Sequence, residues 1–226
     1  MQGLIMRFAE MINECNNIVF FGGVGVSTES GLKDYRSESG IYNTVKEYGI
    51  SPEVILSRTF FTQNPEIFYE FFRKYFIVNA EPNNAHKALA KLEEIGKLKS
   101  VITQNIDELH QRAGCKNVIE LHGTANDFEC HYCGCKPRTE RTIEAIKTGH
   151  VPRCKRCHVV LKPKVVLYEE MLYDGVTEKA ISEISRADML VVGGTSLAVY
   201  PAASFVKYFK GRYLTKEKPS MTEMLI

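Results

Sequence analysis

Short apolar runs that alternate with helical patterns constrain the fold of this chain more than any other feature. The runs are IVFF at 18–21, SVIT at 100–103, VIEL at 118–121, VVLY at 165–168 and MLVVGG at 189–194. Such segments are typical of strands buried on both faces of a parallel sheet. Helical patterns lie between several of these runs and before the first, at 1–15, 86–96, 177–187 and 201–211. The alternation predicts an α/β fold with a doubly wound parallel sheet.

Two stretches interrupt this alternation and are candidates for a smaller second domain. Residues 38–80 contain helical patterns, including NPEIFYEFFRKYFI, but no strand-like run. Residues 124–164 are rich in Cys, Lys, Arg and Pro. We therefore expect a large domain made of residues 1–37, 81–123 and 165–226. The helical module 38–80 and the cysteine-bearing module 124–164 are expected to form the small domain together.

The overall composition excludes several classes of protein. The 226 residues are 44% hydrophobic and 25% charged, which is ordinary for a globular chain. The net charge is +2 and no basic stripe dominates, so no specific nucleic-acid partner is expected. No apolar run approaches the roughly 18 residues of a membrane span, and residues 1–15 lack the apolar core of a signal peptide. Seven cysteines, an odd number, do not suggest a disulfide framework. We expect a cytoplasmic protein without a membrane partner.

The cysteines provide the most specific local signal. Cys130-x2-Cys133 and Cys154-x2-Cys157 are separated by 20 residues. Two tight turns that each present a thiolate pair can fill the tetrahedral shell of Zn²⁺. Because protein ligands take all four positions, the zinc is expected to be structural. The alternative is two redox-active pairs or ordinary buried cysteines. Cys135 fits no ligand spacing.

Small and polar residues follow four of the predicted strands. Ligands of open α/β sheets bind beyond the carboxyl ends of the strands, so these residues are expected to converge at one edge. The last group, which precedes a helical pattern, would place hydroxyls at a helix N-terminus, where anions bind. The residues are Gly23, Val24, Gly25 and Ser27 after the first strand, Gln104, Asn105 and Asp107 after the second, His122 after the third, and Gly193, Gly194, Thr195 and Ser196 after the last.

Each of these signals is weak when it is taken alone. The first loop has two glycines of a dinucleotide fingerprint, but Thr28 stands where the third glycine belongs. A single histidine after a strand, such as His122, is more often structural than catalytic. Asp107 could serve only as the N-terminal acid of the helix DELHQRA. Asp34 and Arg36 could be a surface ion pair. The convergence of all four strand ends favours a functional site.

Five motifs, in order along the chain, resemble the sirtuins, the NAD-dependent protein lysine deacylases. They are GGVGVSTESGLKDYR, TQNIDELHQRAG, ELHGT, the paired C-x2-C and GGTSLAVYPA. The resemblance covers roughly residues 1–211. It implies a Rossmann-like large domain that binds NAD, a small zinc-plus-helical domain, and an acyl-lysine protein or peptide as the substrate.

The resemblance also implies a chemistry in which NAD is consumed. The amide oxygen of the acyl-lysine attacks the ribose carbon that bears nicotinamide, and nicotinamide leaves. His122 matches the family's base, and imidazole suits this work because its ordinary pKa of about 6.5 lies near the operating pH. The implied NAD-binding residues are Gly23, Val24, Gly25, Ser27, Asp34, Tyr35, Arg36, Gln104, Asn105, Asp107, Gly194, Thr195 and Ser196. The implied peptide-binding residues are Val166, Leu167, Tyr168 and Glu169.

Three residues depart from the family pattern. Val24 stands where alanine is usual, and Lys33 replaces a usual proline. Glu169 stands where many members have glycine, in the segment expected to pair with the peptide. If the Glu169 side chain points outward, its charge would favour basic residues flanking the acyl-lysine.

The C-terminal segment GRYLTKEKPSMTEMLI is also unusual for this family. Only Tyr213 and Leu214 look strand-like, and no asparagine follows Asn126. We expect the last strand to be lost or shortened and NAD binding to be weak. This leaves two alternatives to a deacetylase: a sirtuin-like protein that binds NAD or ADP-ribose with weak or no turnover, and a mono-ADP-ribosyltransferase.

Overall fold

The computed structural model describes residues 2–34 and 45–216, and the chain folds into two compact units. Unit 1 comprises residues 1–31, 80–121 and 173–226, and unit 2 comprises residues 32–79 and 122–172. Among the described residues, 32–34, 122–123 and 165–172, which are predicted for the large domain, belong here to unit 2, and residue 80, which is predicted for the small domain, belongs to unit 1.

Strands and helices alternate along much of the described chain. The strands are β1 (Ile18–Gly22), β2 (Leu98–Thr103), β3 (Val118–Glu120), β4 (Gly123–Glu129), β5 (Lys162–Val165), β6 (Met189–Gly193) and β7 (Tyr213–Lys216). The α-helices are α1 (Gln2–Glu14), α2 (Val45–Tyr48), α3 (Pro52–Ile55), α4 (Arg58–Gln63), α5 (Pro65–Tyr75), α6 (Asn84–Glu94), α7 (Leu109–Arg112), α8 (Thr139–Lys147) and α9 (Val176–Arg186). Three 3-10 helices cover Val24–Val26, Thr28–Ser30 and Ala202–Tyr208.

The core of unit 1 is a five-stranded sheet in the order β3-β2-β1-β6-β7, and all neighbouring strands are parallel. The central strands β1 and β6 are buried at every residue. This burial explains their fully apolar sequences, because neither face meets water. The predicted fold class, a doubly wound α/β sheet of Rossmann type, is confirmed.

The edge strand β7 retains more residues than its sequence indicates. It pairs with β6 from Met189↔Tyr213 to Val192↔Lys216, so the strand includes two residues beyond Leu214. The sheet therefore keeps this strand. The remaining C-terminal residues, 217–226, lie outside the described part of the chain.

The helices of unit 1 follow their predicted positions closely. In α1, Phe8 is buried and packs with Ile18 and Leu89 in the core cluster on one face of the sheet. The side chain of Asn83 caps α6 by accepting hydrogen bonds from the backbone N–H groups of Ala85 (3.0 Å) and His86 (3.3 Å). The cap explains why α6 begins two residues before the predicted pattern.

Unit 2 combines short helices with a small antiparallel sheet formed by β4 and β5. Its helices α4 and α5 bury a cluster of rings that includes Phe61, Phe68 and Phe72. The hydroxyl of Tyr69 donates a hydrogen bond to the carbonyl of Leu161, which ties α5 to the chain before β5.

The predicted strand VVLY is wrong in position, because β5 spans Lys162–Val165 and contains Pro163. Pro163 pairs with Phe128, and a two-stranded sheet tolerates proline because both of its strands are edges. After Val165 the chain leaves this sheet, and Tyr168 forms an isolated bridge with Ser57.

The segment after β6 also differs from the prediction. Thr195 and Ser196 do not begin a helix; the 3-10 helix that follows starts at Ala202. The residue before a proline avoids the helical region, so Tyr200 prevents an earlier start. The expected helix N-terminus at the hydroxyls is therefore absent. None of the helices in residues 2–34 and 45–216 is long and apolar enough to cross a membrane.

Candidate functional site

Two glycine-bearing turns pack against each other at the carboxyl ends of β1 and β6. The N–H of Gly23 donates to the carbonyl of Gly193 (3.2 Å), and the N–H of Gly25 donates to the carbonyl of Gly194 (2.9 Å). A Cβ at Gly25 would lie 2.8 Å from the Cα of Gly194. Gly194 has φ +62°, and a Cβ there would collide with the backbone N of Val26. Both positions therefore require glycine, while Thr28 needs none because the chain turns there as a 3-10 helix.

The end of β2 is aligned with these turns. The N–H of Gln104 donates to the carbonyl of Gly22 (3.0 Å), and the N–H of Leu121 donates to the carbonyl of Thr103 (2.9 Å). The side-chain amide of Gln104 donates to Thr195 Oγ1 (3.2 Å), which also accepts from the N–H of Leu197 (3.1 Å). Strand ends that are far apart in sequence thus converge as the sequence analysis expects.

A buried polar network lies behind the first turn, centred on Ser27, which is fully buried. Its hydroxyl donates to Asp107 Oδ2 (2.7 Å) and accepts from the side-chain amide of Asn105 (3.0 Å). The other carboxylate oxygen of Asp107 accepts from the backbone N–H of Leu109 (2.9 Å), at the start of α7. Asp107 therefore caps this helix and also holds Ser27.

Two histidines that the sequence analysis did not single out complete the network. His86 Nε2 lies 3.4 Å from Ser27 Oγ, and the rings of His86 and His110 are 4.7 Å apart. Burial lowers the pKa of His86 to about 4, against a smaller opposing effect of the Asp107 carboxylate. Burial, and then His86, lower the pKa of His110 to about 3. Both rings are therefore neutral near pH 7. The sequence signal for His86 was its place at the third position of α6, after the cap Asn83.

The remaining predicted residues of the first loop are only partly described. Val24 and Asp34 are half-buried, and Asp34 belongs to unit 2. Tyr35 and Arg36 lie outside the described residues. Ser196 follows Thr195 in the turn after β6, and it is exposed.

His122 is the first residue of the second segment of unit 2. Its side chain is half-buried, and its carbonyl accepts a hydrogen bond from the N–H of Val166 (2.9 Å). The next residue, Gly123, has φ +74°, a conformation that favours glycine. These contacts connect His122 directly to the segment expected to bind the peptide.

That segment, Val166–Glu169, is fixed by its backbone to the corner between α3 and α4. The N–H of Tyr168 donates to the carbonyl of Leu56 (3.0 Å), and the carbonyl of Tyr168 accepts from the N–H of Arg58 (3.0 Å). The side chain of Leu167 is buried, whereas those of Tyr168 and Glu169 are exposed. The segment therefore presents part of its side chains to solvent and keeps Leu167 in the core.

The four predicted zinc ligands are brought together in unit 2. The sulfurs of Cys130, Cys133, Cys154 and Cys157 all lie within 4.8 Å of one another. A tetrahedral shell with Zn–S bonds of about 2.3 Å separates the sulfurs by about 3.8 Å, so the group fits a zinc ion. The backbone N–H of Arg156 donates to Cys154 Sγ (3.4 Å), which favours the thiolate. Cys135 contributes its backbone carbonyl to the turn, accepting from the N–H of Cys130 (3.0 Å).

Known proteins are similar to this chain in sequence and in structure. The model of the Sir2 family matches residues 23–201. An NAD-dependent protein deacetylase from Clostridium acetobutylicum is 49% identical over 219 residues, which cover 96% of this chain and 89% of the relative. An NAD-dependent protein deacetylase from Clostridium perfringens is 48% identical over 225 residues, which cover 99% of this chain and 91% of the relative.

Solved structures agree in fold over nearly the whole chain. A structure of Sir2 with a p53 peptide and NAD⁺ has a TM-score of 0.82 at 36% identity, covering 96% of this chain and 89% of that one. A structure of Sir2 bound to an acetylated peptide has a TM-score of 0.81 at 34% identity, covering 97% and 90%. With the family model matching most of its length and relatives near half identity, this chain belongs to the Sir2 family, the sirtuins.

Proposed function

We propose that this protein is an NAD-dependent protein lysine deacetylase, which transfers an acyl group from lysine to ADP-ribose and releases nicotinamide. The observation that carries the proposal is the buried network of Ser27, Asn105 and Asp107 at the ends of β1 and β2. Burying a hydroxyl and an amide beside a half-buried carboxylate at strand ends costs stability, and a site that must present fixed polar groups to a ligand explains that cost. The curated relatives bear the name of this activity.

NAD binds, in this proposal, at the turns that follow β1, β2 and β6. Gly25 and Gly194 allow the two turns to pack closely against each other, since a Cβ at either position would strike the other turn. Ser27, Gln104, Asn105 and Asp107 supply donors and acceptors for the ribose and carboxamide. The further NAD contacts carried over from the family are Gly23, Val24, Asp34, Tyr35, Arg36, Thr195 and Ser196. The large domain is proposed to be residues 1–37, 81–123 and 165–226, bounds that the two compact units match only in part.

His122 acts as the general base. It takes a proton from a ribose hydroxyl, and the resulting oxygen attacks the carbon of the intermediate formed between the acyl-lysine and the sugar. The hydrogen bond from Val166 to the carbonyl of His122 holds its backbone in place. Positioned imidazole bases contribute about 10²- to 10⁴-fold to rate.

The acyl-lysine peptide binds along Val166, Leu167, Tyr168 and Glu169. The hydrogen bonds of Tyr168 to Leu56 and Arg58 fix this segment at Tyr168 before the peptide arrives. Prior ordering lowers the entropy cost of adding a strand. Zn²⁺ on the four cysteines stabilises the small domain, residues 38–80 and 124–164, and takes no part in the chemistry.

One incubation separates this function from its alternatives. The purified protein is mixed with NAD and an acetyl-lysine peptide, and the products are followed by mass spectrometry. Deacetylated peptide, nicotinamide and O-acetyl-ADP-ribose in equal amounts support the proposal. ADP-ribose attached to a protein would indicate a mono-ADP-ribosyltransferase, and NAD binding without products would indicate a binding protein.

The place of action is proposed to be the cytoplasm. None of the seven cysteines forms a disulfide, and four of them converge as a thiolate group. Reducing compartments preserve such thiols.

A further inference from the structure

Glu169 has a backbone conformation that non-glycine residues rarely adopt. Its φ is +75°, in the left-handed region, at a position inside the proposed peptide-binding segment. A side chain in this region strains the backbone unless surrounding contacts hold it. The residue therefore needs a compensating interaction.

The carboxylate of Glu169 supplies that interaction. Its Oε2 accepts hydrogen bonds from both the backbone N–H (2.9 Å) and the hydroxyl (2.8 Å) of Thr59. Thr59 is the second residue of α4, and the cap Ser57 accepts from the N–H of Phe60 (3.1 Å). Glu169 thus satisfies a second N–H group that the start of the helix leaves without an intrahelical partner.

The next residue fastens the other side of the same turn. Glu170 accepts from Arg58 (2.8 Å), from the N–H of Leu167 (2.8 Å) and from Lys162 (2.9 Å). Glu170 ties this turn to Lys162 of β5, and the backbone of Tyr168 is already fixed. The hydrogen bonds of the Glu169 side chain therefore fix the backbone conformation of Glu169 itself.

The backbone of Glu169 is left available by this arrangement. Within residues 2–34 and 45–216, neither its N–H nor its C=O takes part in a hydrogen bond. An extended peptide needs such groups to pair with a strand. The carboxylate of Glu169 is hydrogen-bonded to Thr59. It is therefore less able than expected from the sequence to favour basic residues that flank the acyl-lysine.

We infer that Glu169 is a positioning residue: its carboxylate, bound to Thr59, holds a left-handed backbone at residue 169 and so keeps that residue's N–H and C=O directed for acyl-lysine peptide binding. The inference rests on the proposed function for its substrate. A side-chain contact of Glu169 thereby maintains a backbone conformation that glycine would adopt without strain.

The test compares peptide KM among four variants and the wild-type protein. Glu169→Ala loses both hydrogen bonds to Thr59 and keeps the strain, so its peptide KM should rise at least about tenfold, the size of one of these hydrogen bonds to a charged group. Glu169→Gly loses the contact but adopts φ +75° freely, so its KM should rise only about threefold. Thr59→Val loses the hydroxyl but keeps its N–H, so its peptide KM should lie near that of Glu169→Gly. The peptide KM of Thr59→Val combined with Glu169→Ala should equal that of Glu169→Ala alone, because the two residues contact each other.

The KM for NAD should stay within about twofold in all four variants, since no contact to the NAD turns changes.

A second measurement does not depend on turnover. Hydrogen exchange at the amide of Thr59, without substrates, should be faster in Glu169→Ala by about tenfold than in Glu66→Ala, which removes an exposed acid from the start of α5. Equal exchange in these two variants, or a peptide KM in Glu169→Ala equal to that of wild type, would overturn the inference. Faster exchange together with no deacetylation by the wild-type protein would instead overturn the proposed function and leave the contact established.

Discussion

At the scale of single residues, Asp107 shows how one side chain serves structure and site together. One oxygen caps α7 through Leu109, and the other accepts from Ser27. The sequence analysis treated capping and function as alternatives. Because a carboxylate has two oxygens with separate lone pairs, both roles are filled at once.

The buried histidine pair makes a prediction about pH. The unfolded chain binds a proton at each histidine as the pH falls through about 6.5, whereas the folded chain resists until about 4 at His86 and about 3 at His110. The unfolded state therefore binds more protons below pH 6.5, and stability falls as the pH decreases. Each histidine should contribute a slope of about 1.4 kcal/mol per pH unit.

Replacing His110 tests this slope. Neither ring nitrogen of His110 has a hydrogen-bond partner among the described residues, and the ring lies 6.0 Å from Phe20, so His110→Phe retains the packing without the titration. Urea unfolding between pH 7 and pH 5 should show a mean slope reduced by about 1 kcal/mol per pH unit, because the unfolded histidine is only partly protonated near pH 7. The surface variant His150→Gln should keep the wild-type slope. A His110→Phe slope unchanged from wild type would contradict the assignment.

The assignment of His122 as base makes the strongest prediction about activity. His122→Ala should reduce peptide deacetylation by at least about 10²-fold, the contribution of a positioned base. Nicotinamide release measures the rate, and an unchanged melting temperature shows that the fold is intact. His150→Ala serves as the matched control. Turnover close to that of wild type would refute the assigned role.

At the scale of elements, the zinc module depends on its metal. Little apolar material surrounds the cysteines, since their buried cluster adds only Leu161 and, at its edge, Val159. Such a small core cannot order a module by itself, so the metal must supply the stability.

Metal analysis tests this dependence. The purified protein should contain one zinc per chain, and Cys130→Ala should lose the metal and melt at a lower temperature. Cys135→Ala is the matched control, because residue 135 contributes its carbonyl to the turn and should keep full zinc when its thiol is removed. A Cys130→Ala chain with full zinc and normal melting would disprove the site.

Helix α5 leads to a prediction about the acyl group. The resemblance to the sirtuins implies that members which remove acidic acyl groups carry a Tyr-x-x-Arg pair, and in this chain Phe72 and Tyr75 match those two positions. Phe72 is buried and stacks on Phe68 (5.7 Å), and the nearby Arg73 approaches the carbonyl of Ile146 (3.5 Å). An acidic acyl group would then be buried without its arginine partner, at a cost of several kcal/mol. The ratio kcat/KM should favour acetyl-lysine over succinyl-lysine peptides, and the reverse order would contradict the alignment.

At the scale of the whole molecule, NAD should stabilise the fold by mass action. A ligand at 100 times its Kd adds about 2.7 kcal/mol to the free energy of unfolding. Calorimetry gives the Kd for NAD. Melting in NAD at that multiple then checks the site. ADP-ribose, which lacks nicotinamide, should stabilise as well, and melting unaffected by both would show that unit 1 is not a nucleotide site.

Local sequence determined the elements of this protein because their signals lie within a few residues of each other. Apolar runs predicted β1, β2, β3 and β6, and the C-x2-C spacing predicted the cysteine group, since four soft ligands suit one metal. Turn residues at the strand ends indicated a site because parallel strands end at the same edge.

Tertiary structure alone decided the contacts between residues far apart in the chain. Ser27 and Asp107 meet across 80 residues, and Glu169 and Thr59 across 110. The polar strand β4 exists only because β5 pairs with it, so no apolar run marked it. The contact between His86 and His110 likewise carries no local pattern, although the place of His86 after the cap Asn83 does. Hydrogen bonding and burial depend on which surfaces meet, and that depends on the packed fold.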